Sequence, residues 1–190
     1  MKTKLLAISL LVILTSCSNS DDAEQEEYGN FYAKVSYSLT GNKVNGTFSM
    51  EALSPMSQQT GASTVYVPTG VNGNSGEAAG AYILDFGQLT SFSIMTPARE
   101  GLVEILGDNT NGFEIAFGFE EFDLSASSVS VNITKLIMRN ITEDNTFKQV
   151  VAYVGHFEGI VNHEYYNEDN ELITEPHLAN GEFEFYHPVN

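Results

Sequence analysis

The chain has 190 residues and carries 25 Asp and Glu against 8 Lys and Arg, a formal charge of −17 at pH 7. So acidic a chain is a poor match for nucleic acid or anionic lipid headgroups, both of which are held by Lys and Arg. Its length suits one domain with a short appendage, and its single cysteine excludes any disulfide within the chain.

Residues 1–16 read as a secretory signal: Lys2 and Lys4 form a positive start, and residues 5–14 are an apolar run broken only by Ser9. Such a run is too short to span a bilayer as a mature helix and fits a signal core. The small residues after it end at Cys17 rather than at an A-x-A-like site. Leu14-Thr15-Ser16-Cys17 resembles the lipobox of bacterial lipoproteins, whose cysteine is acylated and becomes the first mature residue. The tract Ser18-Asn19-Ser20-Asp21-Asp22 resembles the Ser/Asp-rich stretch that follows the cysteine in lipoproteins of the Bacteroidota. There it accompanies export to the outer face of the outer membrane. The resemblance implies a lipid anchor on Cys17, a membrane partner reached through that lipid, and exposure at the cell exterior. It covers residues 1–22 and implies nothing about the fold.

Residues 17–29 then form a tether. Asp21, Asp22, Glu24, Glu26 and Glu27 stand there with almost nothing apolar, and like charges without a core do not fold. From residue 30 to 190 the pattern changes to a domain. Phe31, Ala33, Val35, Tyr37 and Leu39 alternate with polar residues, then Gly41-Asn42, then Val44, Gly46, Phe48 and Met50 alternate again. That is a strand, a turn and a strand.

Further short strands are expected at residues 63–68, 81–86 and 90–95, with a mobile Gly-rich loop over residues 69–80. Residues 96–106 are ambiguous: Thr96 as cap and Pro97 at the first position suit a helix start, whereas Gly101 argues against one. Residues 101–106 and 112–119 flank Asp108-Asn109-Thr110-Asn111, the pattern of a hairpin. Val129, Val131, Ile133 and Ile137 are expected on one strand face, with a turn over residues 139–146 and strands over residues 147–161 and 181–187.

The sum is nine or ten short strands without a convincing amphipathic helix. This predicts an all-β domain, a single antiparallel sandwich or barrel. Gly-x-Phe recurs at residues 46–48, 155–157 and 181–183, and each glycine marks a bulge or strand entry with the phenylalanine pointing inward. The last strands resemble those of small uncharacterised all-β lipoprotein domains, a likeness that implies a fold and no activity.

No catalytic set emerges. The one cysteine is assigned to lipid, and the Gly-x-Ser-x-Gly elbow, the phosphate loop and the dinucleotide fingerprint are absent. His156, His163, His177 and His187 have no metal-site spacing and read as scattered surface residues. Residues 149–190 hold eight acids and no Lys or Arg. Asn167, Asp169 and Glu171 alternate there as calcium ligands do, but the EF-hand glycine and closing glutamate are missing, and a solvated acidic loop is the preferred reading. No other cofactor is implied. Tyr165 and Tyr166 are the candidate ligand-stacking residues, and at most one stacks well because neighbours on a strand face opposite ways.

The expected function is therefore a surface-anchored envelope lipoprotein acting as a binding or structural module rather than an enzyme. Its protein or glycan partner is not named by the sequence. The alternatives are a surface glycan hydrolase, which needs a deep cleft with two close carboxylates, and a barrel carrying an apolar ligand, which needs an empty interior.

Overall fold

The computed structural model describes residues 30–69, 76–107, 113–143 and 146–188. The expected signal segment, Cys17 and the tether lie outside the described residues, as do residues 70–75 and 108–112. Ten strands follow one another: β1 (Tyr32–Thr40), β2 (Asn45–Ala52), β3 (Thr60–Val67), β4 (Ala78–Asp85), β5 (Thr90–Pro97), β6 (Gly101–Leu106), β7 (Glu114–Gly118), β8 (Asp123–Asn140), β9 (Lys148–Tyr166) and β10 (Leu172–Tyr186). All pair antiparallel in one sheet ordered β2-β1-β10-β9-β8-β7-β5-β4-β3, with β6 also on β8. The sheet curls into a nearly closed barrel. Of the sandwich and the barrel, the barrel forms.

β2 and β3, the two ends of the sheet, meet at the seam. There the linker between them lies against β3, with the Ala62 amide donating to the Pro55 carbonyl at 2.9 Å. Across the seam Thr90 Oγ1 approaches Met50 Sδ at 3.6 Å. Closing a sheet this way requires tilted strands and a staggered register.

The structure departs from the sequence reading in several places. β8, β9 and β10 run 18, 19 and 15 residues; β9 carries the strand expected over residues 147–161 on to Tyr166, and β10 starts nine residues before the strand expected over residues 181–187. Residues 96–106 form no helix: they end β5, turn, and form β6. β6 and β7 are not a hairpin. Both pair with β8, β6 against residues 128–133 and β7 against residues 123–125, so they run in the same direction as one interrupted strand. The length of β8 makes this possible, since a single long strand offers pairing sites for both pieces. β4 begins at Ala78, inside the stretch expected as loop. Ile137 does not join Val129, Val131 and Ile133 in the main core; it packs against Val151 and Ala152. A register shift between Ile133 and Lys135 inserts one residue, and one extra residue reverses every later side chain.

The interior is filled with rings. Phe92 lies 5.5 Å from Phe117, 5.6 Å from Phe157, 6.2 Å from Phe183 and 6.4 Å from Tyr37, ring centre to ring centre. Such offset and tilted pairs add to the burial energy of the rings. Tyr153 joins them, 5.1 Å from Phe183, with its hydroxyl 2.7 Å from Thr96 Oγ1.

The crossed pairing of β9 with β10 makes room for these rings. In register, Gly155 faces Phe183 and Phe157 faces Gly181. A Cβ on Gly181 would stand 2.7 Å from the Phe157 ring and 2.6 Å from the Ser36 carbonyl oxygen, and one on Gly155 would stand 2.8 Å from the Phe183 ring. Each phenylalanine thus occupies the space its partner strand's glycine leaves. The third Gly-x-Phe differs: a Cβ on Gly46 would meet only Phe48, at an ordinary 3.7 Å.

Gly181→Ala is therefore expected to destabilise the domain by about 3 kcal/mol, as overpacking of a filled core does. Gly46→Ala should change stability by less than about 1 kcal/mol. Urea denaturation of the two variants beside the parent checks both; equal effects would contradict the crossed packing.

Candidate functional site

The barrel has two unlike rims. At the entry rim, where the described chain begins at residue 30, Phe31 sits edge-on to His187 at 5.5 Å. Glu77 there accepts hydrogen bonds from Lys148 Nζ at 2.7 and 2.8 Å and from the Tyr66 hydroxyl at 2.7 Å. Lys148 and then Tyr66 hold the Glu77 carboxyl below its usual range, and desolvation together with Glu77 pushes Tyr66 up to about 12.

The far rim gathers the β1–β2, β4–β5, β7–β8 and β9–β10 turns. A file of rings climbs to it from the core: Tyr37 to Phe48 at 5.2 Å, Phe48 to Phe119 at 5.4 Å, Phe119 to Phe122 at 4.7 Å, Phe122 to His163 at 5.3 Å, and His163 to Tyr165 at 5.1 Å. Lys43 Nζ lies 5.2 Å over the Phe122 ring, a cation–π contact.

Two of the four histidines are buried here, which corrects the surface reading. His163 and His177 are 9% and 1% exposed. His177 Nε2 accepts the amides of Lys43 and Val44 at 3.2 and 3.3 Å, which leaves Nδ1 to donate to the Glu175 carbonyl at 3.0 Å. His163 Nδ1 lies 3.2 Å from the Asp123 carbonyl oxygen. Both rings tie turns together. Their spacing of 14 residues carries no signal of this, because the contacts come from strand register.

The acidic segment takes in the end of β9, a turn over residues 167–171 whose residues 168–171 are exposed, and the start of β10. β9 continues to Tyr166 and β10 starts at Leu172. Tyr165, 39% exposed, ends the ring file by stacking on His163; Tyr166, 67% exposed, stands opposite Leu172. Asn167 Oδ1 accepts the amides of Asp169 and Glu171 at 3.0 and 2.9 Å, and Asn167 Nδ2 donates to Glu171 Oε2 at 3.2 Å. The alternation of Asn167, Asp169 and Glu171 thus has a use within the turn itself. Among the described residues no group of three or more His, Cys, Asp and Glu is placed to hold a metal ion.

The sequence reading missed the neighbouring cleft. Phe86, Leu89 and Phe119, over a floor of Leu84, Ser91 and Gly118, line a depression of about 260 Å³ flanked by Asp85 and Asp123. Asp85 Oδ1 accepts the amides of Gly87 and Gln88 at 2.8 and 3.0 Å, which shapes the β4–β5 turn. The turn ends on Leu89 at φ +52°. That left-handed conformation costs a branched apolar residue about 1–2 kcal/mol and costs glycine almost nothing. Leu89 recovers little by burial, for its side chain is 50% exposed, and Phe86 beside it is 44% exposed. A residue held in a costly conformation without a packing return points to a role outside the fold.

Comparison of the chain with protein-family models, with curated proteins and with solved structures finds no match.

Leu89→Gly should leave stability unchanged or raise it by up to about 1 kcal/mol, against the usual sense of an apolar deletion; a loss above about 1 kcal/mol in urea denaturation would show that Leu89 is packed into the core instead. Asn167→Ala should cost about 1 kcal/mol through the turn. Melting curves in calcium chloride and in sodium chloride of equal ionic strength should coincide, since Asn167 Oδ1 already holds two amides; a calcium-specific rise would assign the hairpin to the ion.

Proposed function

We propose that the chain is a lipid-anchored envelope protein, tethered through Cys17 to the outer membrane and facing the exterior, whose barrel serves as a binding or structural module. The observation that carries this reading is the polarity of the barrel. The described chain enters at the rim holding Phe31 and His187, so a tether from Cys17 would leave the opposite rim, with Phe86, Leu89 and Tyr166 exposed, pointing away from the lipid. Two further features support it. The interior that a carrier of apolar ligands would keep open is packed with Phe92, Phe117, Phe157 and Phe183, each buried. The acidic surface suits a soluble head above a membrane better than one lying on it.

A surface glycan hydrolase is the alternative, and the shared cleft of Asp85 and Asp123 is what favours it. Asp85, however, is engaged by two backbone amides, as a turn-shaping carboxylate is.

Acyl chains bind a bilayer with roughly 0.8 kcal/mol per buried CH₂, so two or three hold firmly. Cys17→Ala should therefore move the protein from the membrane fraction to an uncleaved or soluble form. Protease added to intact cells should remove the domain of the parent. A Cys17→Ala variant that has lost its signal segment and still sediments with membranes as the parent does would refute the anchor. Full protection of the domain in cells stripped of a known surface protein would refute the outward orientation.

A further inference from the structure

We propose that the cleft beside Leu89 is a docking site for an extended segment of a partner protein that presents one large apolar side chain flanked by Lys or Arg. This rests on the reading of the barrel as a binding module and specifies what that module takes.

Size and chemistry of the cleft argue for the apolar side chain. About 260 Å³ lined by Phe86, Leu89 and Phe119 suits a Leu, Met or Phe side chain, and burying one is worth more than tenfold in affinity. The apolar patch continues beyond the cleft. Met56 Sδ and the Phe86 ring both crowd Gly61, 3.4 and 3.5 Å from where its Cβ would be, and Met56 is 68% exposed. Contiguous exposed apolar surface bordered by polar groups is the mark of a contact site. Leu89 adds an independent reason, since its left-handed backbone holds a half-exposed leucine where glycine would be easier.

Charge selects the flanking residues. Asp85 and Asp123 border the cleft, and Glu120 and Glu121 stand exposed on the adjoining β7–β8 turn. Of the bases in the described residues, Arg99, Arg139 and Lys148 stand in or beside turns of the entry rim, and Lys34 and Lys135 sit on the half of the barrel toward it. Lys43 alone stands at the far rim, over Phe122. A basic flank would meet carboxylates there, and an acidic one would be repelled. A neutral glycan would use neither the charge nor the aliphatic leucine.

The test uses the full chain in detergent micelles, with amide resonances of residues 84–91 and 118–123 followed by NMR. Four probes are titrated: the capped tripeptides Lys-Phe-Lys, Glu-Phe-Glu and Lys-Ser-Lys, and maltohexaose. Lys-Phe-Lys should shift the resonances of Phe86, Leu89 and Phe119 saturably, with at least about tenfold higher affinity than either other peptide. The preference over Glu-Phe-Glu should shrink as salt is raised, and the preference over Lys-Ser-Lys should not. Leu89→Gly, checked to be folded by its denaturation curve, should weaken Lys-Phe-Lys about tenfold. Equal affinity for the three peptides, an unaltered affinity in Leu89→Gly, or no shift with any probe would overturn the proposal. A shift with maltohexaose alone would assign the cleft to glycans and overturn it likewise. Membrane fractionation of Cys17→Ala reads the anchor separately, so failure here leaves the anchoring reading standing and failure there leaves the docking chemistry standing.

Discussion

Phe157 and Phe183 lie on neighbouring strands and each fills the space over the other strand's glycine, Gly181 and Gly155. Much else follows from this exchange. A barrel interior has a limited cross-section, and full-sized side chains at all four positions would exceed it. Alternating nothing with a ring at the two levels keeps the volume constant while letting both phenylalanines reach Phe92, on the opposite wall. Phe92 then holds Phe117 and Tyr37 in turn. Strands distant in sequence are joined through ring contacts, so the seam between β2 and β3 can go without a continuous hydrogen-bonded ladder.

A packed interior has a consequence for function. Among the described residues the rings of Phe92, Phe117, Phe157 and Phe183 pack together in the interior, and under the proposed reading a partner is met on the surface. The two rims divide the work. The entry rim carries polar ties, with Glu77 joining Lys148 and Tyr66, beside the exposed Ile141 and Phe147. The far rim is closed by rings and by two buried histidines that bind turn backbone, and it leaves apolar side chains facing solvent. Rigid turns on a filled scaffold suit recognition, because little ordering entropy is lost when a partner docks.

Much of the fold was legible because strand alternation is a direct imprint of a two-sided sheet. Phe31 to Leu39 kept the face their pattern assigns, and all-β architecture followed. What escaped were features that depend on single insertions or on register. One extra residue after Ile133 sends Ile137 to the other face, and no composition rule marks where a long strand bulges. β6 and β7 looked like hairpin arms because their spacing around Asp108–Asn111 is that of a turn, and only the length of β8 decides otherwise. The histidines looked scattered because their meeting with Lys43 and Asp123 is set by pairing across the sheet. At the cleft, the sequence Phe86-Gly87-Gln88-Leu89 offers a glycine for a left-handed position, yet the positive φ falls on Leu89. The residue that best marks the candidate site was hidden by the most ordinary assignment of its turn.

The central claim is that rings from four walls meet inside the barrel and leave no ligand space. Proton–proton Overhauser contacts of the Phe92 ring test it most directly. Ring protons lying within contact range of Phe117, Phe157 and Phe183 should give cross-peaks to all three. A Phe92 ring showing no contact with Phe157 and Phe183 would contradict the filled barrel and favour the carrier of an apolar ligand over the binding module.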